Sequence, residues 1–196
     1  MFALLANGYE VNINSYWSIE TSDVIKEFQS DMAIPVIGKV NFTTWMALLI
    51  SYGDKNRAYN ACDTRFEITE SRLNKLKSMG ITAVGRYING TDFKVLRADE
   101  PARIIDGGLK LIPIYQENGT SSSDFSFEEG VRQAQNARHK LKEFRIPRES
   151  TVFFAVDYDA QDWEITSYIL PYFRGITSSI GNYNVGVYGT RNLCTK

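Results

Sequence analysis

Thr151-Val152-Phe153-Phe154-Ala155-Val156-Asp157-Tyr158-Asp159-Ala160 reads as an apolar strand that ends abruptly in two carboxylates. Side chains alternate across a strand, so residues two apart share a face with Cα atoms about 6.5 Å apart, and Asp157 and Asp159 are expected to point together. Carboxylates at the carboxyl end of a buried parallel strand are costly to desolvate and add little to packing. They are candidates for chemistry in a fold that places its sites there. Asp is also common in turns at strand ends, so this stretch alone leaves both readings open.

The surrounding segments alternate strand with helix, which is the pattern of a parallel sheet with crossover helices. Strands are expected near Tyr59–Asp63, Ala83–Ile88, Lys110–Gln116, Thr151–Asp157 and Asn184–Tyr188. Helices are expected over Glu70–Met79, ending at Gly80, and over Glu128–Phe144, where Val131, Ala134, Leu141 and Phe144 form one stripe. Alternation separates Ile112 and Ile114 from Pro113, Tyr115 and Glu117, and Val152, Phe154 and Val156 from Phe153, Ala155, Asp157 and Asp159. In the last strand Val185 and Val187 oppose Gly186 and Tyr188. The aliphatic side is expected to lie under helices, and the side that turns polar and aromatic is expected to form the mouth of a (β/α) barrel.

On this reading Asp63, Glu117, Asp157 and Asp159 gather at one edge of the sheet, with Arg86, Tyr87, Tyr115 and Tyr188 beside them. Carboxylates, tyrosines and an arginine without histidine suit glycoside hydrolysis. One acid protonates the leaving oxygen, a second carboxylate supports the oxocarbenium-like transition state or activates water, and aromatic faces hold sugar rings. Crowded like charges raise at least one carboxyl pKa. A divalent metal could use the same oxygens, and a structural network could instead pair Arg86 with an aspartate.

Composition narrows the alternatives. With 196 residues, 43% of them hydrophobic, the chain can form one or two packed domains. Its net charge of -1 gives no field that would gather nucleic acid or anionic lipid, and no apolar run approaches a membrane span. The first residues lack the basic start and length of a secretory signal. His139 is the only histidine and lies in the basic stretch Arg138-His139-Lys140, read as a solvated helix face. Cys62 and Cys194 show no metal-type spacing; Cys62 reads as a small buried hydrophobe, and a disulfide between the two is not expected. No metal site and no cofactor are called for, and no glycine-rich phosphate loop supports an unrelated metabolic barrel enzyme.

The first fifty residues have a different texture. Val24, Ile25, Phe28 and Met32 recur at helical spacing, with caps expected at Thr21, Ser22 and Asp23, and a second helix carries Trp45, Leu48 and Leu49. The polar segment Tyr52-Gly53-Asp54-Lys55-Asn56-Arg57 reads as a linker. The expected domains are thus 1–53, a small all-α unit, and 58–196, an α/β unit.

Val24-Ile25-Lys26-Glu27-Phe28-Gln29 followed by Ile37-Gly38-Lys39-Val40-Asn41-Phe42-Thr43-Thr44-Trp45 resembles the second half of a three-helix peptidoglycan-binding domain, with its F-Q…G…T-W pattern. The family's first helix would be represented by Phe2–Leu5, so the resemblance implies a partial module that begins upstream of Met1. From about Ala58 onward the chain resembles the glycoside-hydrolase-like family once catalogued as domain of unknown function 1906, related to family-25 lysozymes. The matching pieces are Cys62-Asp63, Gly85-Arg86-Tyr87, Ile112-Pro113-Ile114-Tyr115-Gln116, Phe154-Ala155-Val156-Asp157-Tyr158-Asp159, Pro171-Tyr172-Phe173 and Gly186-Val187-Tyr188-Gly189.

The resemblance implies a TIM-type barrel that acts on or binds peptidoglycan or a related cell-wall glycan, in an extracellular or wall-associated setting. It assigns Asp63 to the first-strand acid and Asp157-Tyr158-Asp159 to the D-x-E signature, with Asp159 where the proton-donating Glu would stand; Arg86, Tyr87, Tyr115, Gln116 and Tyr188 are the substrate-binding candidates among the residues. A side chain one methylene shorter changes reach by more than an ångström, which can cost ~100-fold in rate. Glu117 is the expected substitute acid. The first expectation is therefore a lysozyme-type hydrolase targeted by a wall-binding module, and the second a non-catalytic wall-binding protein on the same scaffold. A barrel usually needs about 250 residues, whereas residues 58–196 suit roughly five strands. The barrel is expected to be incomplete at its C-terminal end, to expose the Asn184–Tyr188 edge and to be poorly soluble alone.

Overall fold

The computed structural model describes residues 1–14, 16–32, 34–49 and 58–196. It divides into two compact units, Met1–Ala58 and Tyr59–Lys196. The Tyr52–Arg57 segment read as a linker lies outside the described residues.

The first unit contains α1 (Phe2–Ala6), α2 (Ile19–Asp31) and α3 (Phe42–Leu49). Helix α2 starts two residues before the Thr21 expected from the sequence, because the Ser18 hydroxyl accepts from Thr21 N at 3.2 Å and acts as the cap. Leu4, Tyr9, Ile25, Phe28, Ile34, Ala47 and Leu48 form its core. Fully buried Gln29 explains the F-Q…G…T-W pattern physically. Its amide donates to Lys39 O and Thr44 Oγ1, each at 2.9 Å, and its carbonyl accepts from Ile37 N at 2.8 Å and Gly38 N at 2.9 Å. The pattern latches a loop between two helices, which satisfies every hydrogen-bonding site of the amide that burial would otherwise leave costly.

The second unit runs β1 (Ala61–Asp63), α4 (Glu70–Ser78), β2 (Ala83–Tyr87), α5 (Glu100–Asp106), β3 (Lys110–Tyr115), α6 (Phe127–Glu143) and β4 (Thr151–Ala155). It continues with α7 (Asp162–Glu164), a π-helical stretch Ile165–Ile169, α8 (Leu170–Ser179), β5 (Asn184–Tyr188) and α9 (Arg191–Cys194). Among the described residues, five strands pair in parallel in the order β1-β2-β3-β4-β5. Each strand therefore lies beside its predecessor in sequence, the order in which the staves of a (β/α) barrel follow one another, and every strand expected from the sequence is present. Ser126 caps α6 by accepting from Glu129 N at 3.1 Å, and Gly130, Ala134 and Ala137 present a small-residue face. Helices α6 and α8 meet there almost backbone to backbone: a Cβ on Gly130 would stand 2.0 Å from Tyr172 O, and one on Gly175 2.1 Å from Phe127 O.

The register corrects the facing expected for β3. Ile114 pairs with Tyr87 on one side and Phe153 on the other, whereas Tyr115 pairs with Phe154. Paired residues in a parallel ladder share a face, so Ile112 and Ile114 join Gly85, Tyr87, Phe153, Ala155, Gly186 and Tyr188. Tyr115 joins Val84, Val152, Phe154 and Val156 in the helix-covered core. Alternation fixes faces only within a strand. The assumption that the aliphatic set lies under the helices fails for β3, because the opposite face also needs apolar filling, and Ile114 supplies it beside Tyr87 and Ala155.

Candidate functional site

The carboxyl ends of β1 to β5 bring together Asp63, Tyr87, Gln116, Asp157 and Tyr188, all on or just beyond the face opposite the helix-covered core. Gly85 makes room for the first acid: a Cβ there would lie 2.8 Å from the Asp63 Cβ. Asp63 is exposed. The Tyr188 and Tyr87 phenols stand within its field and within reach of each other. Burial, then the Asp63 charge, pushes both hydroxyls above the ordinary tyrosine range, and the two remain neutral donors at neutral pH.

Asp157 is held from two directions. Its N–H donates to Gly119 O at 2.7 Å, and its carboxylate accepts from Gln116 Nε2 at 3.1 Å. Gln116 is itself positioned: its backbone N–H donates to Asn89 Oδ1 at 2.9 Å, its carbonyl accepts from Asn89 Nδ2 at 2.8 Å, and its side-chain oxygen accepts from Lys94 Nζ at 2.7 Å. Lys94 also stands 4.2 Å from the centroid of the Tyr87 ring, a cation–π contact. Burial lowers the Lys94 pKa, and the neighbouring Asp157 charge opposes that shift. Lys94 and Asn89 were missed in the sequence because they lie in the connection after β2, Asn89 in a bend and Lys94 in the short 3-10 turn Asp92–Lys94, which periodicity does not read.

Strand β4 ends at Ala155, so the alternation that paired Asp157 with Asp159 does not extend to them. Asp159 is exposed and follows a bend at Tyr158. Between them Tyr158 packs inward on Phe125, with ring centroids 6.1 Å apart at 22°. Its hydroxyl is buried with no hydrogen-bond partner among the described residues. Burial, with the charges of Glu164 and Asp124, pushes its pKa up to about 12.

Three expected site residues lie elsewhere. The Arg86 side chain is fully buried and cannot touch a glycan. It forms a two-pronged ion pair with Glu100, at 2.6 Å and 3.2 Å, and donates to Thr64 O at 2.8 Å, Lys94 O at 3.0 Å and Val95 O at 3.3 Å. Glu100 also accepts from Ile68 N and Arg97 N. The structural network allowed for Arg86 therefore exists, with a glutamate in place of the expected aspartate.

Tyr115 is buried under α6 and donates to Glu117, which pairs with Arg132 of α6. Burial raises the Glu117 pKa, but the hydrogen bonds from Arg132 and Tyr115 outweigh it and hold the carboxyl below its ordinary range. An ionised, ion-paired carboxylate on the α6 side of the sheet is unsuited to act as the substitute proton donor. A cleft of about 330 Å³ opens on that side, lined by Asn89, Tyr115, Glu117, Asn136 and His139; Asp63 and Asp157 do not line it. His139 is exposed, Cys62 is partly buried against the core, and Cys62 and Cys194 are both free.

Comparison with known proteins supports this reading of the scaffold. The Tat-secreted protein Rv2525c of Mycobacterium tuberculosis, solved in complex with HEPES, superposes with a TM-score of 0.56 at 22% identity, covering 64% of this chain and 66% of that one. An uncharacterized B. stearothermophilus protein superposes with a TM-score of 0.51 at 20% identity, covering 65% of this chain and 58% of that one. At such identities the likeness is one of fold. Two uncharacterized Bacillus subtilis (strain 168) proteins, YbfG and FadG, are each 36% identical, over 100% and 98% of this chain. The chain spans 29% and 35% of their respective lengths. Residues 74–196 match the description of the Rv2525c-like, glycoside hydrolase-like domain, and the chain belongs to that family.

Proposed function

We propose that the second unit is a glycoside hydrolase acting on cell-wall glycan, with Asp63 and Asp157 as its working carboxylates. The observation that carries this reading is that both acids stand at the strand ends near the Tyr87 phenol, with Asp157 oriented by Gln116 and Gln116 by Lys94. One carboxylate would support the developing oxocarbenium charge while neutral phenols donate to sugar hydroxyls. Asp159, exposed two residues after Asp157, is the candidate proton donor. The first unit would hold the protein on peptidoglycan, and a secreted setting agrees with a relative described as Tat-secreted.

One observation favours a second reading, glycan binding without cleavage. Glu117 is committed to Arg132, which leaves no glutamate beside Asp157 to supply the proton that the D-x-E signature implies. The test is release of reducing ends from purified peptidoglycan, with wall pull-down alongside. Asp157→Asn is expected to lower release by about 100-fold or more while leaving wall binding largely intact. Binding without release by the unaltered chain would decide for the second reading.

A further inference from the structure

Two exposed phenylalanines rest against each other in the segments that follow β1 and β2. Phe66, in the segment after β1, and Phe93, in the segment after β2, stack with centroids 5.9 Å apart at 24°, although they are 46% and 51% exposed. The Arg65 guanidinium stands over both rings, 5.3 Å and 5.6 Å from their centroids, and Arg72 over Phe66 at 5.5 Å. Lys94, next to Phe93, lies within the field of Arg65. Among the described residues, neither Arg65 nor Lys94 is ion-paired with a carboxylate.

The Arg65 and Lys94 charges repel; Asp157 acts on Lys94 without forming an ion pair with it, and an anion placed against both cations is attracted by each. The site is also held in place from below. A single nitrogen of buried Arg86 donates to Thr64 O at 2.8 Å and to Lys94 O at 3.0 Å, which fixes the two segments that carry Arg65-Phe66 and Phe93-Lys94 relative to each other. Leu96 N donates to Tyr87 O at 2.8 Å and anchors the second segment to its strand. The exposed parts of the two rings and the cations beside them, next to the strand-end acids, suit the two aspects of an acidic sugar: its apolar C–H surface and its charged substituent.

We propose that Arg65, Lys94, Phe66 and Phe93 form a subsite for a sugar carrying an anionic group, a carboxylate or a phosphate. This rests on the glycan-cleft reading and adds the substrate class to it. Lys94 then links the anion to Asp157 through Gln116, so an anionic unit seated there would register the adjoining glycosidic bond against the acids.

The test measures binding to the 196-residue chain by calorimetry. Trigalacturonate serves as the carboxylate probe and its methyl ester as the neutral control; N-acetylglucosamine 6-phosphate serves as the phosphate probe and the unphosphorylated sugar as its control. At least one anionic probe is expected to bind tenfold or more tighter than its neutral partner, and the responding probe identifies the anion. Arg65→Gln and Lys94→Met are each expected to remove that preference, and added salt to weaken it. Equal affinity for charged and neutral probes, or a preference untouched by both substitutions, overturns the subsite even if Asp157-dependent glycan release persists. An anion preference without Asp157-dependent release upholds the subsite and overturns the hydrolase reading. No binding by any probe overturns the subsite.

Discussion

Arg86 shows how a motif residue can serve a site without entering it. Its guanidinium and Glu100 are both withdrawn from water, and the pair is tolerable because each remaining donor and acceptor finds a backbone partner. Removing one partner leaves an uncompensated buried charge. Arg86→Leu is expected to cost about 3–5 kcal/mol of stability, read from a urea midpoint, and the double change Arg86→Leu with Glu100→Leu to cost less than the sum of the single ones. Tyr158 is the opposite case, since its hydroxyl is buried without a partner among the described residues and already bears its desolvation penalty. Tyr158→Phe should therefore leave stability unchanged or raise it by about 1 kcal/mol, with Asp157-dependent release preserved. A loss of stability on that change would mean that the hydroxyl is hydrogen-bonded in solution.

Among the elements, α6 joins the sheet to α8, and two devices hold it. The first is contact without side chains at Gly130 and Gly175, where either change to Ala forces the helices apart and is expected to cost about 1–3 kcal/mol or more. The second is the Arg132 bridge to Glu117 and Glu129, whose carboxyls are both held below their ordinary range. A depressed carboxyl pKa stabilises the fold above the unfolded value, about 4.5, and that contribution fades as pH falls through the lower folded value. Urea midpoints taken from about pH 6 down to about pH 3 should therefore drop less steeply in Arg132→Met than in the unaltered chain. The elements themselves were legible because alternation and helical spacing are local. The facing of β3 was not, because it depends on which residue of β4 lies opposite Tyr115, and the loops carrying Asn89 and Lys94 have no period to read. The acids at the strand ends were legible as Asp63 and Asp157, but Glu117 was misplaced with β3.

At the scale of the molecule, the proposed function would have the two units divide the work of a protein that meets an insoluble substrate. The first unit's motif residues Phe28, Gln29 and Thr44 are buried and spent on its own fold, so any wall-binding role falls to exposed side chains. Trp45 is half exposed on α3, and an aromatic face of that kind is suited to stacking on a sugar ring. A weak second site on one chain raises the effective concentration of the catalytic unit at the wall and can raise avidity by 10²–10⁴ without strengthening either site. That gain exists only where both units reach the same surface. Trp45→Ala is therefore expected to lower reducing-end release from insoluble peptidoglycan by about tenfold and to leave turnover of soluble wall fragments unchanged, because a single short glycan would engage only the proposed site of the second unit. Equal losses on both substrates would place Trp45 in the stability of the chain instead, which a thermal melt of the variant would register independently.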